Sequence, residues 1–313
     1  MNEDQKSRRQ VGGQITVDPL TGMPAGAQLH ISAGLFACEP VGNLNSIVNW
    51  EFFEGAIVAL HFGQCGLQHI LGSGVLVAPG VVMAARHVVE AQEQKLRRGE
   101  QELICSGITA DGLVIWRCRG VTLVGNTDIA FLMVEAASAL PKTLRQVTLT
   151  TRMPRVGEKI VIVGIRHHAD SPVEITSETN LSMMAASGEV MARYEQRRDS
   201  VLLPHPCFEV NCAAIGGMSG GPAFDEDGFL VGLVTSSIES ESVGPTFVSL
   251  PWPAFAETIN PIWPVGFYKT PTSLLKMDRR ICGIHRPEAI ELHNYGFSGK
   301  PIATYHHWDS EQA

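Results

Sequence analysis

Short runs of apolar residues, rich in valine and isoleucine, recur along the middle of the chain. Glycine, proline, asparagine or aspartate separates one run from the next. Apolar runs of this length, bounded by turn residues, are typical of strands in a β-sandwich or β-barrel. The sequence therefore predicts strands at 56–62, 74–77, 81–84, 113–116, 128–134, 159–165, 229–235 and 246–250. Helical patterning is scarce, and it predicts only two short helices, at 88–98 and 252–259.

The two ends of the chain differ from this middle part. Residues 1–50 begin with charged positions and continue with spaced glycines and prolines, without periodicity, so we expect an N-terminal extension. Residues 260–313 combine prolines with a concentration of aromatic and histidine residues. Such a composition is too aromatic for a linker, and it predicts a tail that packs on the main domain or on a partner.

Composition excludes several classes of protein. Of 313 residues, 44% are hydrophobic and 18% are charged, which is enough for a substantial core and excludes general disorder. The net charge of −8 argues against binding of nucleic acid, because phosphate contacts need concentrated cationic charge. The sequence predicts no membrane span and no signal peptide, and so a cytoplasmic protein. Seven cysteines without a C-x-x-C pair predict free thiols.

Candidate chemistry begins at Ser219, in the segment Gly-Gly-Met-Ser-Gly-Gly-Pro at 216–222. Glycines on both sides allow a tight turn that exposes the serine hydroxyl and aims main-chain N–H groups at one point. The N–H groups of Gly217 and Ser219 are the predicted oxyanion hole. The alternative is a glycine-rich turn with an ordinary serine.

A serine nucleophile needs a base within hydrogen-bonding reach, and the base needs a group that orients it. The candidate base is His87, at the end of the apolar strand predicted at 81–84. The candidate orienting group is Asp128, which opens an apolar strand where a buried carboxylate needs a partner. Each residue alone is a weak signal, and the three together predict a Ser-His-Asp triad.

The order His, Asp, Ser in these surroundings resembles the chymotrypsin-fold serine peptidases, and most closely the bacterial trypsin-like group that includes the HtrA (Deg) and glutamyl-endopeptidase branches. The blocks that carry this resemblance are GSGVLV…AARH at 72–87, TDIAFL at 127–132, PRVGEKIVIVG at 154–164, FEVNCAAIGGMSGGP at 208–222 and FVSLP at 247–251. The resemblance covers about 55–258. It implies an all-β fold of two packed six-stranded antiparallel barrels, at 51–150 and 151–259, with a short helix after them. His87 and Asp128 then belong to the first barrel and Ser219 to the second.

Three features depart from the family pattern. Met218 precedes the serine where family members carry Asp or Asn, so activation by pairing with a new N-terminus is unavailable. Arg86 precedes the histidine where a small residue is usual, and it is harmless only if it points away from the imidazole. No PDZ-like domain follows the predicted barrels.

Alignment with the family also suggests which residues bind substrate. Ala213 lies on one predicted wall of the specificity pocket, and Val234, Thr235 and Ser236 lie on the other. Small and apolar walls favour a small or medium apolar side chain at the cleaved position. Glu239 and Glu241 lie just beyond the second wall and leave a preference for basic residues open.

The sequence predicts neither a metal nor a cofactor. The pairs at 167–168 and 306–307 are adjacent histidines, which point to opposite faces of a strand and chelate poorly. No glycine-rich nucleotide-binding motif is present. The predicted function is an intracellular serine endopeptidase that cleaves protein or peptide substrates and is regulated by a partner or ligand. The alternative is a protease-fold interaction or scaffold subunit with little activity of its own.

Overall fold

Strands dominate the computed structural model, which describes residues 10–14, 28–32, 38–41, 44–47, 53–63, 69–109, 112–141, 143–167, 181–237, 245–294 and 301–305. Four strands precede the first barrel: β1 (Gln10–Gln14), β2 (Gln28–Ser32), β3 (Cys38–Val41) and β4 (Leu44–Ile47). β1 pairs with β2, and β3 pairs with β4, both antiparallel. The predicted N-terminal extension thus contains paired strands, which its glycine- and proline-spaced sequence did not indicate.

Six antiparallel strands close the first barrel. They are β5 (Ile57–Phe62), β6 (Ile70–Ala78), β7 (Val81–Ala85), β8 (Leu103–Thr109), β9 (Gly112–Leu123) and β10 (Ile129–Ala136). Their order around the barrel is β10, β7, β6, β5, β8 and β9, and β9 pairs again with β10. Every residue of β5 and β7 is buried, which explains why apolar residues fill both strands except at His61.

Two short helices, α1 (Arg86–Glu90) and α2 (Glu93–Arg97), connect β7 to β8. A single helix was predicted at 88–98, and the structure instead divides this region at a turn over residues 91 and 92. The division leaves α1 as one turn of helix directly after β7. This position matters for the site, because α1 carries His87.

A second closed barrel follows two short connecting strands, β11 (Thr143–Val147) and β12 (Leu149–Thr150). Its strands are β13 (Lys159–His167), β14 (Leu181–Tyr194), β15 (Cys207–Val210), β16 (Pro222–Phe224), β17 (Leu230–Ser237) and β18 (Thr246–Ser249). Their order is β13, β16, β17, β18, β15 and β14, and the pairing of β14 with β13 closes the barrel. The predicted fold class of two six-stranded antiparallel barrels is confirmed.

The N-terminal strands attach to this frame at two places. β4 pairs with β14 beside the second barrel, and β2 runs parallel to β11 between the barrels. The tail adds β19 (Ile284–His285), which lies parallel to β12, and the hairpin of β20 (Ile290–Asn294) and β21 (Pro301–Tyr305). Where a helix was predicted at 252–259, the structure has one 3₁₀ turn, Trp252–Ala254.

Candidate active site

His87 lies where β7 ends and α1 begins, and Asp128 holds it from two sides. One carboxylate oxygen of Asp128 accepts the main-chain N–H of His87 at 2.9 Å, and the other lies 2.8 Å from the ring nitrogen Nδ1. The side chain of Asp128 is 11% exposed, whereas that of His87 is 48% exposed. The second ring nitrogen therefore remains open to the cleft. The hydrogen bond to Asp128 raises the pKa of His87 above its ordinary value.

Arg86 points away from the imidazole. Its guanidinium donates to both carboxylate oxygens of Glu90, at 3.1 and 2.8 Å, and to the carbonyl of Val124 at 3.0 Å. Glu90 lies four residues further along α1, so the pair is an ordinary i, i+4 ion pair of a helix surface. The main-chain N–H of Arg86 also donates to the carbonyl of Asp128. The unusual residue before His87 therefore leaves the geometry of the histidine intact.

Asp128 is oriented in turn by Thr235 of β17, whose hydroxyl donates to the carboxylate oxygen that faces the imidazole. This contact joins the two barrels, because Asp128 precedes β10 and Thr235 belongs to the second barrel. Thr235 was predicted as a wall of the specificity pocket, and it does line the cleft. Its hydrogen bond to Asp128 was not predicted, because the sequence alone gives no contact between residues 107 positions apart.

Ser219 lies on the tight loop between β15 and β16. Gly217 has a φ of 92° and Gly220 a φ of 83°, a backbone region that residues with a side chain rarely adopt. Within the described part of the chain, the N–H groups of Gly217 and Ser219 donate to no main-chain carbonyl, although Met218, Gly220 and Gly221 all do. Two neighbouring unpaired donors are the arrangement that an oxyanion hole needs.

Met218 fixes this loop to the core of the second barrel. Its side chain is fully buried in the core of the second barrel, and a Cβ atom at Gly164 would come within 2.8 Å of its Cα. The apolar residue in place of the family's Asp or Asn therefore has a packing role. It fixes the loop by burial rather than by a charge or an amide.

Ser73 of β6 ties the same loop to the first barrel. Its hydroxyl donates to the carbonyl of Gly217 at 2.7 Å and accepts the N–H of Ile165 at 2.9 Å. Its own N–H donates to the carbonyl of Ser219 at 2.8 Å. Ser73 is fully buried, and sequence reasoning missed this role, although the residue lies within the block at 72–87 that carried the family resemblance.

The three residues of the predicted triad line one cleft of about 720 Å³ between the barrels. Its lining residues are Arg86, His87, Glu90, Asn126, Thr127, Asp128, Val201, Leu202, Leu203, Pro204, His205, Ile215, Gly216, Ser219 and Thr235. The candidate base and the candidate nucleophile both line this cleft, yet no hydrogen bond joins the side chains of His87 and Ser219. Such bonds are often long before substrate binds and tighten only in the reacting complex.

The other predicted substrate-binding residues lie in different surroundings. Val234 is buried in the core of the second barrel. The next residue, Thr235, lies at an irregularity in the pairing of β17 with β18 and lines the cleft. Ala213 is half-buried and follows Cys212, and Ser236 pairs through its main chain with Phe247 of β18. A pocket role for Ala213 and Ser236 stays a prediction. Residues 239 and 241 lie outside the described part of the chain.

Other kinds of site find no support among the described residues. They contain no group of three or more histidine, cysteine, aspartate or glutamate side chains placed to hold a metal ion. Histidines 168, 306 and 307 lie outside the described part of the chain. The five cysteines whose side chains are described are free thiols, and burial raises the pKa of Cys212, which precedes the glycine-rich segment of Ser219, to about 11. No helix in the described ranges is both long enough and apolar enough to cross a membrane.

Residues 72–233 match the family of trypsin-like peptidase domains, and the chain belongs to this family. The predicted kinship with trypsin-like peptidases is thus confirmed, and the match covers every residue of the candidate triad.

Three of the solved structures that the chain is similar to are the following. The MamO protease domain from Magnetospirillum magneticum shares 15% identity over 63% of this chain and 93% of its own, with a TM-score of 0.46. The active form of the Rv3671c protease from M. tuberculosis shares 18% identity over 63% and 76%, with a TM-score of 0.43. Deg5 shares 21% identity over 62% and 83%, with a TM-score of 0.42. No curated protein matches the chain significantly.

Proposed function

We propose that this member of the trypsin-like peptidase family is an active serine endopeptidase. Ser219 attacks the carbonyl carbon of the scissile bond while His87 takes its proton. Asp128 fixes the tautomer of the imidazole and stabilises the imidazolium that forms. The N–H groups of Gly217 and Ser219 bind the oxyanion of the tetrahedral intermediate. His87 then returns the proton to the leaving amine, and water releases the acyl group from Ser219.

One observation carries the proposal: the paired His87 and Asp128 line the same cleft as Ser219. The N–H group of Ser219 and that of the nearby Gly217 donate to no main-chain carbonyl of the described residues. A structural subunit has no physical need for a half-exposed imidazole held by a buried carboxylate. The hydrogen bond that raises the pKa of His87 favours the cationic form, which a base must adopt as the reaction proceeds. Regulation by a partner or ligand, protein substrates and a cytoplasmic location stay predictions.

Labelling with a fluorophosphonate probe tests the nucleophile. We expect the native chain to be labelled and to cleave unfolded protein substrates, and Ser219→Ala to lose both activities. Ser138→Ala is the matched control, because Ser138 contacts the main chain of the first barrel and does not line the cleft. An unlabelled native chain would favour the interaction subunit, and labelling that persists in Ser219→Ala would place the nucleophile elsewhere.

A further inference from the structure

Two neighbouring apolar side chains project from the rim of the candidate active-site cleft. Val201 is 81% exposed and Leu202 is 77% exposed, more than any other large hydrophobic residue that the structure describes. Single exposed hydrophobic residues are common on protein surfaces and need no explanation. Within the described ranges, however, these two are the only exposed large hydrophobic residues that are adjacent in sequence and line this cleft.

The loop between β14 and β15 holds this pair in place. One carboxylate oxygen of Asp199 accepts the N–H groups of Val201, Leu202 and Leu203, at 2.8, 2.6 and 3.2 Å. The carbonyl of Leu203 in turn accepts two main-chain N–H groups, and the Leu203 side chain is buried. Because the main chain is fixed at this tip, a ligand that binds there loses little free energy in ordering it.

The base of the loop is fixed as well. The guanidinium of Arg198 lies 4.4 Å from the ring centre of Phe247, and the ring nitrogen Nε2 of His205 lies 2.8 Å from the hydroxyl of Ser249. Both contacts join the loop to β18 of the second barrel. The second barrel therefore holds Val201 and Leu202 in position.

The charged side chains that line the cleft beside Val201 and Leu202 already have partners of opposite charge. Among the residues that line the cleft, Arg86 is paired with Glu90, and Asp128 is paired with His87. Burial lowers the pKa of His205, which keeps that imidazole neutral near pH 7. A charged side chain of a substrate would thus find no free partner among these described residues, whereas an apolar one would cover Val201 and Leu202.

We propose that Val201 and Leu202 form a recognition site for a bulky apolar side chain of the peptide substrate, near the scissile bond. The proposal rests on the proposed peptidase function, since it uses the same cleft. Contact with leucine, isoleucine or phenylalanine removes apolar surface of both partners from water, which favours binding without a hydrogen bond. The site then selects unfolded or extended segments, because such side chains are buried in folded proteins.

Peptide binding tests this proposal. The measurements use Ser219→Ala, so that the peptide is not cleaved while its binding is measured. The probes are fluorescein-labelled eight-residue peptides of glycine, alanine and serine, in which each of four central positions in turn carries leucine or serine. We expect the leucine peptide to bind roughly tenfold more tightly than the serine peptide at one position, measured by fluorescence anisotropy. Adding Val201→Ser and Leu202→Ser should reduce the difference to less than about twofold. Val156→Ser, a control at an exposed residue that does not line the cleft, should keep the difference.

Equal binding of both peptides, or a leucine preference that survives Val201→Ser with Leu202→Ser, would overturn the site. So would a dimer of the chain, seen by sedimentation, that these two substitutions dissolve, because the pair would then belong to an interface between copies. Fluorophosphonate labelling of the native chain reports separately on the nucleophile. A leucine preference in a chain that is not labelled would retain the binding site and reject the peptidase.

Discussion

At the scale of single residues, the proposed chemistry depends on the groups that donate hydrogen bonds to the carboxylate of Asp128. Asp128 gives one oxygen to the main chain of His87 and the other to its ring, and Thr235 donates to that second oxygen. The ring is thereby held in one orientation and in the tautomer with its proton on Nδ1. Burial of the histidine opposes its charge, but the hydrogen bond that the imidazole donates to Asp128 outweighs burial, and the pKa of His87 is raised.

This balance predicts how the activity depends on pH. The base must be neutral to accept a proton, so kcat/KM should rise with pH through an inflection above the ordinary histidine pKa of 6.5. In Asp128→Asn the main cause of the raised pKa is lost while burial remains. We therefore expect the inflection to move to lower pH and kcat to fall by roughly 10⁴-fold. Rate measurements from pH 5 to 9 on both proteins test this.

The control is Asp278→Asn, which removes a carboxylate paired with Arg280 in the tail. It should leave both the rate and the inflection unchanged. An Asp128→Asn variant whose inflection stays above 6.5 would mean that another group raises the pKa of His87.

At the scale of elements, β6 of the first barrel supports the loop of the second barrel that carries Ser219. Ser73 contacts Gly217, Ser219 and Ile165 through both its hydroxyl and its main chain. The backbones lie so close that a side chain at Gly220 would collide with the carbonyl of Ser73. Both barrels therefore hold the loop that carries the proposed oxyanion hole, and the geometry of this loop depends on β6.

Ser73→Ala should accordingly impair the chemical step more than substrate binding. Without the hydroxyl, the carbonyl of Gly217 loses its donor and the loop gains freedom. We expect kcat to fall roughly tenfold to a hundredfold, less than the loss of an oxyanion donor itself, with KM nearly unchanged. Ser106→Ala is the matched control, since Ser106 is also fully buried in the first barrel but bonds to His61. Equal losses of kcat in both variants would show that the effect is only one of stability.

The sequence predicted the strands that combine apolar runs with clear turns, and with them a sandwich or a barrel. The fold class of two six-stranded barrels followed from the family resemblance. Among the strands of the two barrels, the sequence missed β8, β14, β15 and β16. β14 mixes exposed and buried positions without strict alternation, and β16 has only three residues, so neither gives a clear period. The candidate triad could be proposed from the sequence because each member lies within a recognisable block. The contacts of Ser73 and Thr235 could not, since they arise only when the two barrels pack together.

At the scale of the whole molecule, the tail is part of the core. Trp263 packs edge-on against Trp116 of the first barrel, with ring centres 5.2 Å apart, and the hydroxyl of Tyr268 donates to the carbonyl of Pro79. β19 continues the sheet beside β12, which connects the barrels. Removing 260–313 would therefore expose the interior of the peptidase domain rather than uncover its cleft, and such a truncation is a poor test of regulation.

A single substitution in the tail tests whether the tail contributes to the stability of the barrels. Trp263 is 7% exposed and contacts a fully buried tryptophan, so Trp263→Ala should leave a cavity beside Trp116 and lower the free energy of unfolding by about 3–5 kcal/mol. Its neighbour Ile262 is 43% exposed, and Ile262→Ala should change that free energy by less than about 0.5 kcal/mol. Urea unfolding followed by tryptophan fluorescence and circular dichroism measures both values. If the two variants unfold at the same urea concentration as the native chain, the tail lies on the surface and the barrels fold without it.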